Sequence, residues 1–229
     1  MSLLGRAAVA MWWTVKPEMR AEFGDWHSHE HFPERLSIPG FLRGSRWTST
    51  LEDGGFFVLY ELDAYETLTS RGYLDRLNAP TPWSTTMMPH HLGMVRSQCR
   101  VEASFGGGLA VSLATVRLSP GDSDRSALRD RIVGTLAGLA SEPGLTGAHL
   151  LMTDTPRTSA PTREQEIRGS DRTADWVVLV SGYDPDRVQS CVAHRFSADA
   201  LHGLPEDRPV VVGHHRLSFC MTAVDVGAS

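Results

Sequence analysis

The feature that most constrains this chain is that one order of predicted elements occurs twice. Apolar periodicity predicts a strand at Ala7–Val15, then a helix that opens near Pro17 and is ended by Pro39-Gly40. Strands at Phe41–Thr50 and Phe56–Leu62 follow, joined by the turn-prone Glu52-Asp53-Gly54-Gly55. A helix at Ala64–Leu77, a proline-interrupted loop and a strand at Leu92–Ala103 complete the order βαββαβ. In that last strand Val95, Ser97, Cys99, Val101 and Ala103 alternate with Arg96, Gln98, Arg100 and Glu102, so one face is polar. Beyond Gly106-Gly107-Gly108, read as a linker, the order returns. Strand Leu109–Leu118, helix Ser123–Ala140 with Asp122–Asp124 as caps, strands Leu145–Thr153 and Trp176–Gly182, helix Pro185–Arg195 and strand Val210–Val224 are predicted.

Landmarks repeat with the elements. Pro39-Gly40-Phe41 matches Pro143-Gly144-Leu145, 104 residues on, and His90-His91 matches His214-His215, 124 residues on. The second copy therefore carries an insertion, placed at the polar stretch Asp154–Thr173 and read as a mobile surface loop. Two units, 1–105 and 106–229, fit the 229 residues. Each has the order of a ferredoxin-like α+β sandwich, one antiparallel sheet with both helices on one face. The economical way to cover the two open faces is to pack them together, sheet to sheet, as an intrachain pseudo-dimeric α/β barrel.

Composition narrows function more than fold. No apolar run approaches the roughly 18 to 20 residues of a membrane span; the apolar stretch Leu3–Trp13 reads as the first strand, and a cytoplasmic location follows by default. The 22 basic and 27 acidic residues are well mixed at net charge −5, so no footprint for nucleic acid or an anionic membrane exists. Lys16 is the only lysine, which nearly removes Schiff-base and phosphate-loop lysine chemistry. Cys99, Cys191 and Cys220 lie far apart and read as buried thiols.

In a βαββαβ unit the first helix and the last strand begin at the same end of the sheet. That brings His27 and His31 toward His90 and His91, with Trp12, Trp13 and Trp47 near the same rim. Glu30 and Glu34 flank His31 at helical distances from which a carboxylate orients an imidazole. His27-Ser28-His29-Glu30-His31 also satisfies the inverted zinc-protease spacing, without a visible third ligand, and no nucleophilic triad stands out. His90 and His91 point to opposite faces if the strand starts there, so at most one serves a given pocket.

These residues carry a resemblance. Asp25-Trp26, His31-Phe32-Pro33 and Pro39-Gly40-Phe41 are similar to the signature of the dimeric α/β-barrel superfamily, and within it of the EthD-like and stress-responsive barrel proteins. Tyr73-Leu74 and Asn78 to Trp83 through Met88-Pro89-His90 resemble the second-helix and loop region of the same group. The second half keeps the corner but has Thr135 where His31 would align, so it looks like a degenerate copy.

The resemblance implies a small hydrophobic or aromatic ligand between sheet and helices, and chemistry that often needs no cofactor, although some relatives bind haem. The leading expectation is a cofactor-independent lyase or isomerase, of dehydratase or cyclase type, acting on a small aromatic or polyketide-like compound. His31 would be its general acid/base with Glu30 or Glu34 as partner. Trp26, His27, Trp83, His90, Trp13 and Trp47 would shape the pocket, and Arg43 would take a phenolate or carboxylate. The alternatives are a non-catalytic small-molecule-binding barrel and a metal- or haem-dependent oxidoreductase. No metal and no cofactor is expected on the leading reading, and a homodimer is left open.

Overall fold

The computed structural model describes residues 3–121, 125–154, 161–169, 171–201, 204 and 208–227. The expected caps at Asp122–Asp124 lie outside them. In β1 (Ala7–Val15) both faces are apolar because both are covered. Ala7, Val9, Met11, Trp13 and Val15 join one core cluster, while Ala8, Ala10 and Trp12 join another. The helical segment that follows runs through α1 (Arg20–Trp26), a π-helical turn (His27–His31) and α2 (Phe32–Leu36). Pro33 has no N–H for a helical bond, and the ladder widens just ahead of it. Phe32 is fully buried and packs where Gly44 leaves room: a Cβ there would come within 2.1 Å of its ring.

Strands β2 (Phe41–Ser49) and β3 (Gly55–Leu62) lead to α3 (Arg71–Asn78), α4 (Pro82–Met87) and β4 (His91–Gly106). The proline-interrupted loop thus contains a short helix, N-capped by Thr81 through Ser84 N–H. The second half runs β5 (Ser112–Leu118), α5 (Arg125–Leu139), β6 (Leu145–Thr153), α6 (Arg163–Arg168), β7 (Trp176–Gly182), α7 (Pro185–Arg195), β8 (Val211–Thr222) and α8 (Ala223–Gly227). The stretch read as a mobile loop therefore holds a helix, and the last strand gives way to another.

The eight strands close into one antiparallel barrel in the order β1-β3-β2-β8-β5-β7-β6-β4. Each half contributes its strands in the same spatial order, fourth-first-third-second, and the seams are β2 with β8 and β4 with β6. The open faces of the two sheets thus become the barrel interior, filled by Trp12, Trp47, Phe57, Leu59, Leu151 and Leu179. The helices cover the outside, one cluster over each half. The repeated corner has a repeated cause: Gly40 at φ 95° and Gly144 at φ 90° hold a backbone that side-chain-bearing residues avoid. Among the described residues no helix is long and apolar enough to cross a membrane.

Candidate functional site

A cavity of about 490 Å3, counting the part open to solvent, lies outside the barrel between the first sheet and its helical segment. β1 supplies Met11 and Trp13, the π-turn His27 and His31, α2 Arg35, β3 Tyr60, and β4 His91 and Arg96. The wide turn brings His27 and His31 into a stack, ring centroids 5.6 Å apart at 22°. Trp26 covers His31 at 4.6 Å, and Trp13 lies 5.1 Å from His91.

Charge enters the wall from an unexpected quarter. Glu164 and Arg168 of α6, between β6 and β7 of the second half, also line the cavity. The helix is closed by a reciprocal cap in which Thr162 and Gln165 satisfy each other's backbone N–H. Arg35 donates to Glu164, whose other oxygen lies 3.5 Å from Arg168. Arg168 in turn grips Asp171 through two bonds of 2.9 and 2.7 Å. The backbone of Arg172 crosses to β4 by Arg96 N–H to Arg172 O, 2.8 Å, and Arg172 N–H to Met94 O, 3.2 Å. Arg96 donates to the Tyr73 hydroxyl at 2.7 Å. The face of β4 that alternation marks as polar is therefore buried at Arg96, beneath partners that local sequence does not reveal.

The histidines are held neutral. Burial, and then the Arg46 guanidinium, pushes His27 well below the ordinary imidazole value; burial and then Arg35 does the same to His31. His91 is pushed down to about 3, by burial first and Arg168 second. Burial raises Glu34, whose Oε2 stands 3.6 Å from His31 Nδ1, and Arg35 opposes the rise.

Five polar atoms around this cavity are buried without a hydrogen bond: Trp13 Nε1, His31 Nδ1, Arg35 Nη1, Tyr60 Oη and His91 Nε2. Buried polar groups nearly always find partners. Two of these atoms are fixed donors, one is a hydroxyl, and two are imidazole nitrogens.

Of the residues singled out in the sequence, Trp13, Trp26, His27 and His31 line the cavity, and Glu34 stands behind His31. The others sit elsewhere. Glu30 accepts from Trp26 Nε1 at 3.1 Å and from Thr81, tying the helix to the α4 segment rather than orienting His31. Trp83 donates to Glu22 at 2.8 Å and anchors α4 to α1. Trp47 is inside the barrel, bonded to Ser45 at 3.0 Å, and Arg43 is paired with Glu61 at 2.7 Å. His90 ends a 3-10 turn, and it is His91 that reaches the cavity. Missed altogether were Arg35, Tyr60, Glu164 and Arg168. Arg35 had a signal, since it is one turn beyond His31 on the same helix face. No group of three His, Cys, Asp or Glu placed to hold a metal ion occurs among the described residues.

No family model matches the chain, and no curated protein matches it. Solved structures do. An anthrone oxidase-like protein superposes with TM-score 0.65 at 12% identity, over 95% of this chain and 93% of its own. A proposed monooxygenase from Lactobacillus acidophilus gives 0.60 at 10%, over 95% and 97%. A haem-binding protein from Thermus thermophilus gives 0.51 at 9%, over 98% and 94%. The likeness runs through both halves and establishes the fold, an α+β barrel of the ferredoxin-like, dimeric-barrel kind.

The wall leaves no place for haem. Arg35 and Arg168, the cations that would face its carboxylates, are already paired with Glu164 and Asp171, and Arg96 is bonded to Tyr73. The rings of Trp13, Phe23 and Trp26 crowd the imidazoles at centroid distances from 4.6 to 6.1 Å. As packed, the residues present do not fit a porphyrin. The expectation of a cofactor-independent lyase or isomerase is also corrected: the neighbouring structures carry the names of oxidising and haem-binding proteins.

Proposed function

We propose that the first half's cavity binds a small, flat, oxygen-bearing aromatic compound and oxidises it at an acidic C–H bond, with dioxygen as electron acceptor. The observation that carries this is the convergence of five buried polar atoms without a hydrogen bond on one aromatic-walled cavity. Trp13 N–H and the Arg35 Nη1 N–H, which has Glu34 at 3.8 Å but makes no hydrogen bond, suit a carbonyl or phenolic oxygen and stabilise the charge that develops there when the neighbouring carbon loses its proton. His31, held neutral by burial, takes that proton at Nε2. Glu34, 3.6 Å from Nδ1, is placed to accept Nδ1–H as the ring becomes cationic. The carbanion passes its electrons to dioxygen and forms a hydroperoxide. Loss of water then leaves a ketone, so CH2 and O2 become C=O and H2O.

The names of the structural neighbours support oxidation as the reaction type. The residues 1–105 and 106–229 are read as tandem copies, the first carrying the site. Support comes from the repeated strand order and from the Gly40 and Gly144 corners. The EthD-like assignment rests on His31-Phe32-Pro33 and Pro39-Gly40-Phe41.

Dioxygen uptake with anthrone as probe tests the reading. The wild type should consume one equivalent and form the quinone, and His31→Leu should lose about 100- to 10,000-fold in rate. Equal rates in the two proteins would remove His31 from the chemistry. A Soret band on adding haemin, without anthrone-dependent uptake, would replace oxidation by haem binding.

A further inference from the structure

A second cavity opens at one end of the barrel, on the opposite face of β1, with a volume of about 1020 Å3 counting the part open to solvent. Both halves build it: Trp12 comes from β1, Thr115 and Arg117 from β5, His215 from β8, and Arg172 from the segment before β7. Trp12 Nε1 donates to Thr115 Oγ1 at 3.2 Å, and Thr115 Oγ1 lies 3.1 Å from His215 Nε2. The other ring nitrogen of His215, Nδ1, is buried without a hydrogen-bond partner, in a residue only 5% exposed.

Above these groups the Arg117 guanidinium lies 4.9 Å from the Trp12 ring centre. It makes no hydrogen bond or ion pair with any described residue. Arg172 stands beside it and disfavours its charge, after burial, while Glu52 at the rim is the facing carboxylate, too far to pair. The two arginines also line an adjoining groove with Val95 and Val211. At the mouth Leu51, Leu92, Val211 and Val212 are exposed, Leu51 by 67%. The floor depends on Gly213, where a Cβ would come within 2.6 Å of His215 Nε2.

We propose that this barrel-end cavity binds a small carboxylate with an apolar body. Arg117 and Arg172 hold the carboxylate, Trp12 and His215 lie beneath it, and the apolar rim covers the rest. A planar guanidinium that has no paired anion among the described residues, held over an indole, matches a carboxylate in geometry and charge. The hydrogen-bonded Trp12, Thr115 and His215 keep the floor in place.

Calorimetric titration with 1-naphthoate tests this in the intact protein. Naphthoate should bind, and 1-naphthamide should bind about tenfold or more weakly, the equivalent of one charge-assisted bond. Arg117→Met and Gly213→Ala should each lower naphthoate affinity by about the same factor while melting cooperatively. His31→Leu should leave it unchanged, which separates this site from the oxidation site. Absence of heat at millimolar naphthoate, equal binding of the amide, or unchanged binding by Arg117→Met would overturn the proposal. So would loss of binding in His31→Leu, which would move naphthoate to the first cavity.

Discussion

The two halves of this molecule share a strand order and a glycine corner, yet they use the space between sheet and helices in opposite ways. Over the second sheet, α5 presents Leu128, Ile132, Leu136 and Leu139 to Leu145, Leu150, Val178 and Val180, an interface of aliphatic side chains. Thr135, at the same 104-residue offset from His31 as separates the two Pro-Gly corners, bonds back to Arg131 O at 2.9 Å and asks nothing of the core. Over the first sheet the corresponding segment presents His27, His31 and Arg35, and polar atoms stay unpaired. One frame thus makes a core in one half and a cavity in the other. Buried imidazoles and unpaired donors cost stability, and the second half shows what the same frame looks like without that cost.

The sharpest way to break this contrast is at the α6 segment, which reaches from the second half to the first cavity. Glu164→Ala leaves Arg35 and Arg168 buried without their shared carboxylate, and should lower unfolding free energy by about 3–5 kcal/mol in urea titrations. If the loss were under about 1 kcal/mol, the pairing would be a surface contact rather than part of the wall. Next in size, Leu136→Ala in the fully buried face of α5 should cost about 2–5 kcal/mol. His31→Leu at the aligned position should be neutral or stabilising by about 1 kcal/mol, because it removes an unsatisfied nitrogen.

Acid provides a third handle. His27, His31 and His91 are neutral when folded but titrate near 6.5 when unfolded, so below that value the unfolded chain takes up protons that the folded one refuses. Stability is fully present above about pH 6.5 and should fall by about 2 kcal/mol per imidazole on going from pH 7 to pH 5. For His91 the loss continues to its folded value of about 3. Urea midpoints measured at both pH values should show His31→Leu losing about 2 kcal/mol less than wild type; equal losses would mean that His31 is charged in the folded protein. The smallest effect expected is that of Thr162→Ala, about 1 kcal/mol from the lost cap of α6. Faster amide exchange confined to α6 and the Arg172 bridge would show that the cavity wall loosens by itself.

Much of this frame can be read locally. β1, β6, β7 and α7 begin and end at the predicted residues, since each is an apolar run or a periodic apolar segment set off by polar, proline or glycine residues. The short helices α4 and α6 cannot be read that way. Six residues are too few to show a period, and α6, with the sequence Arg-Glu-Gln-Glu-Ile-Arg, looks like a solvated loop. The choice between His90 and His91 depended on where β4 starts, and a shift of one residue exchanges the faces.

What the amino-acid order determined by itself is the pair of βαββαβ units and, in periodic elements such as α5, the face turned inward. Periodicity records which side of an element avoids water, and each element carries that record within its own residues. Which half would hold a cavity, and which charges would wall it, was decided only in three dimensions. Arg35 meets Glu164 across 129 residues of sequence, and its guanidinium can be buried only where that distant carboxylate arrives to compensate it.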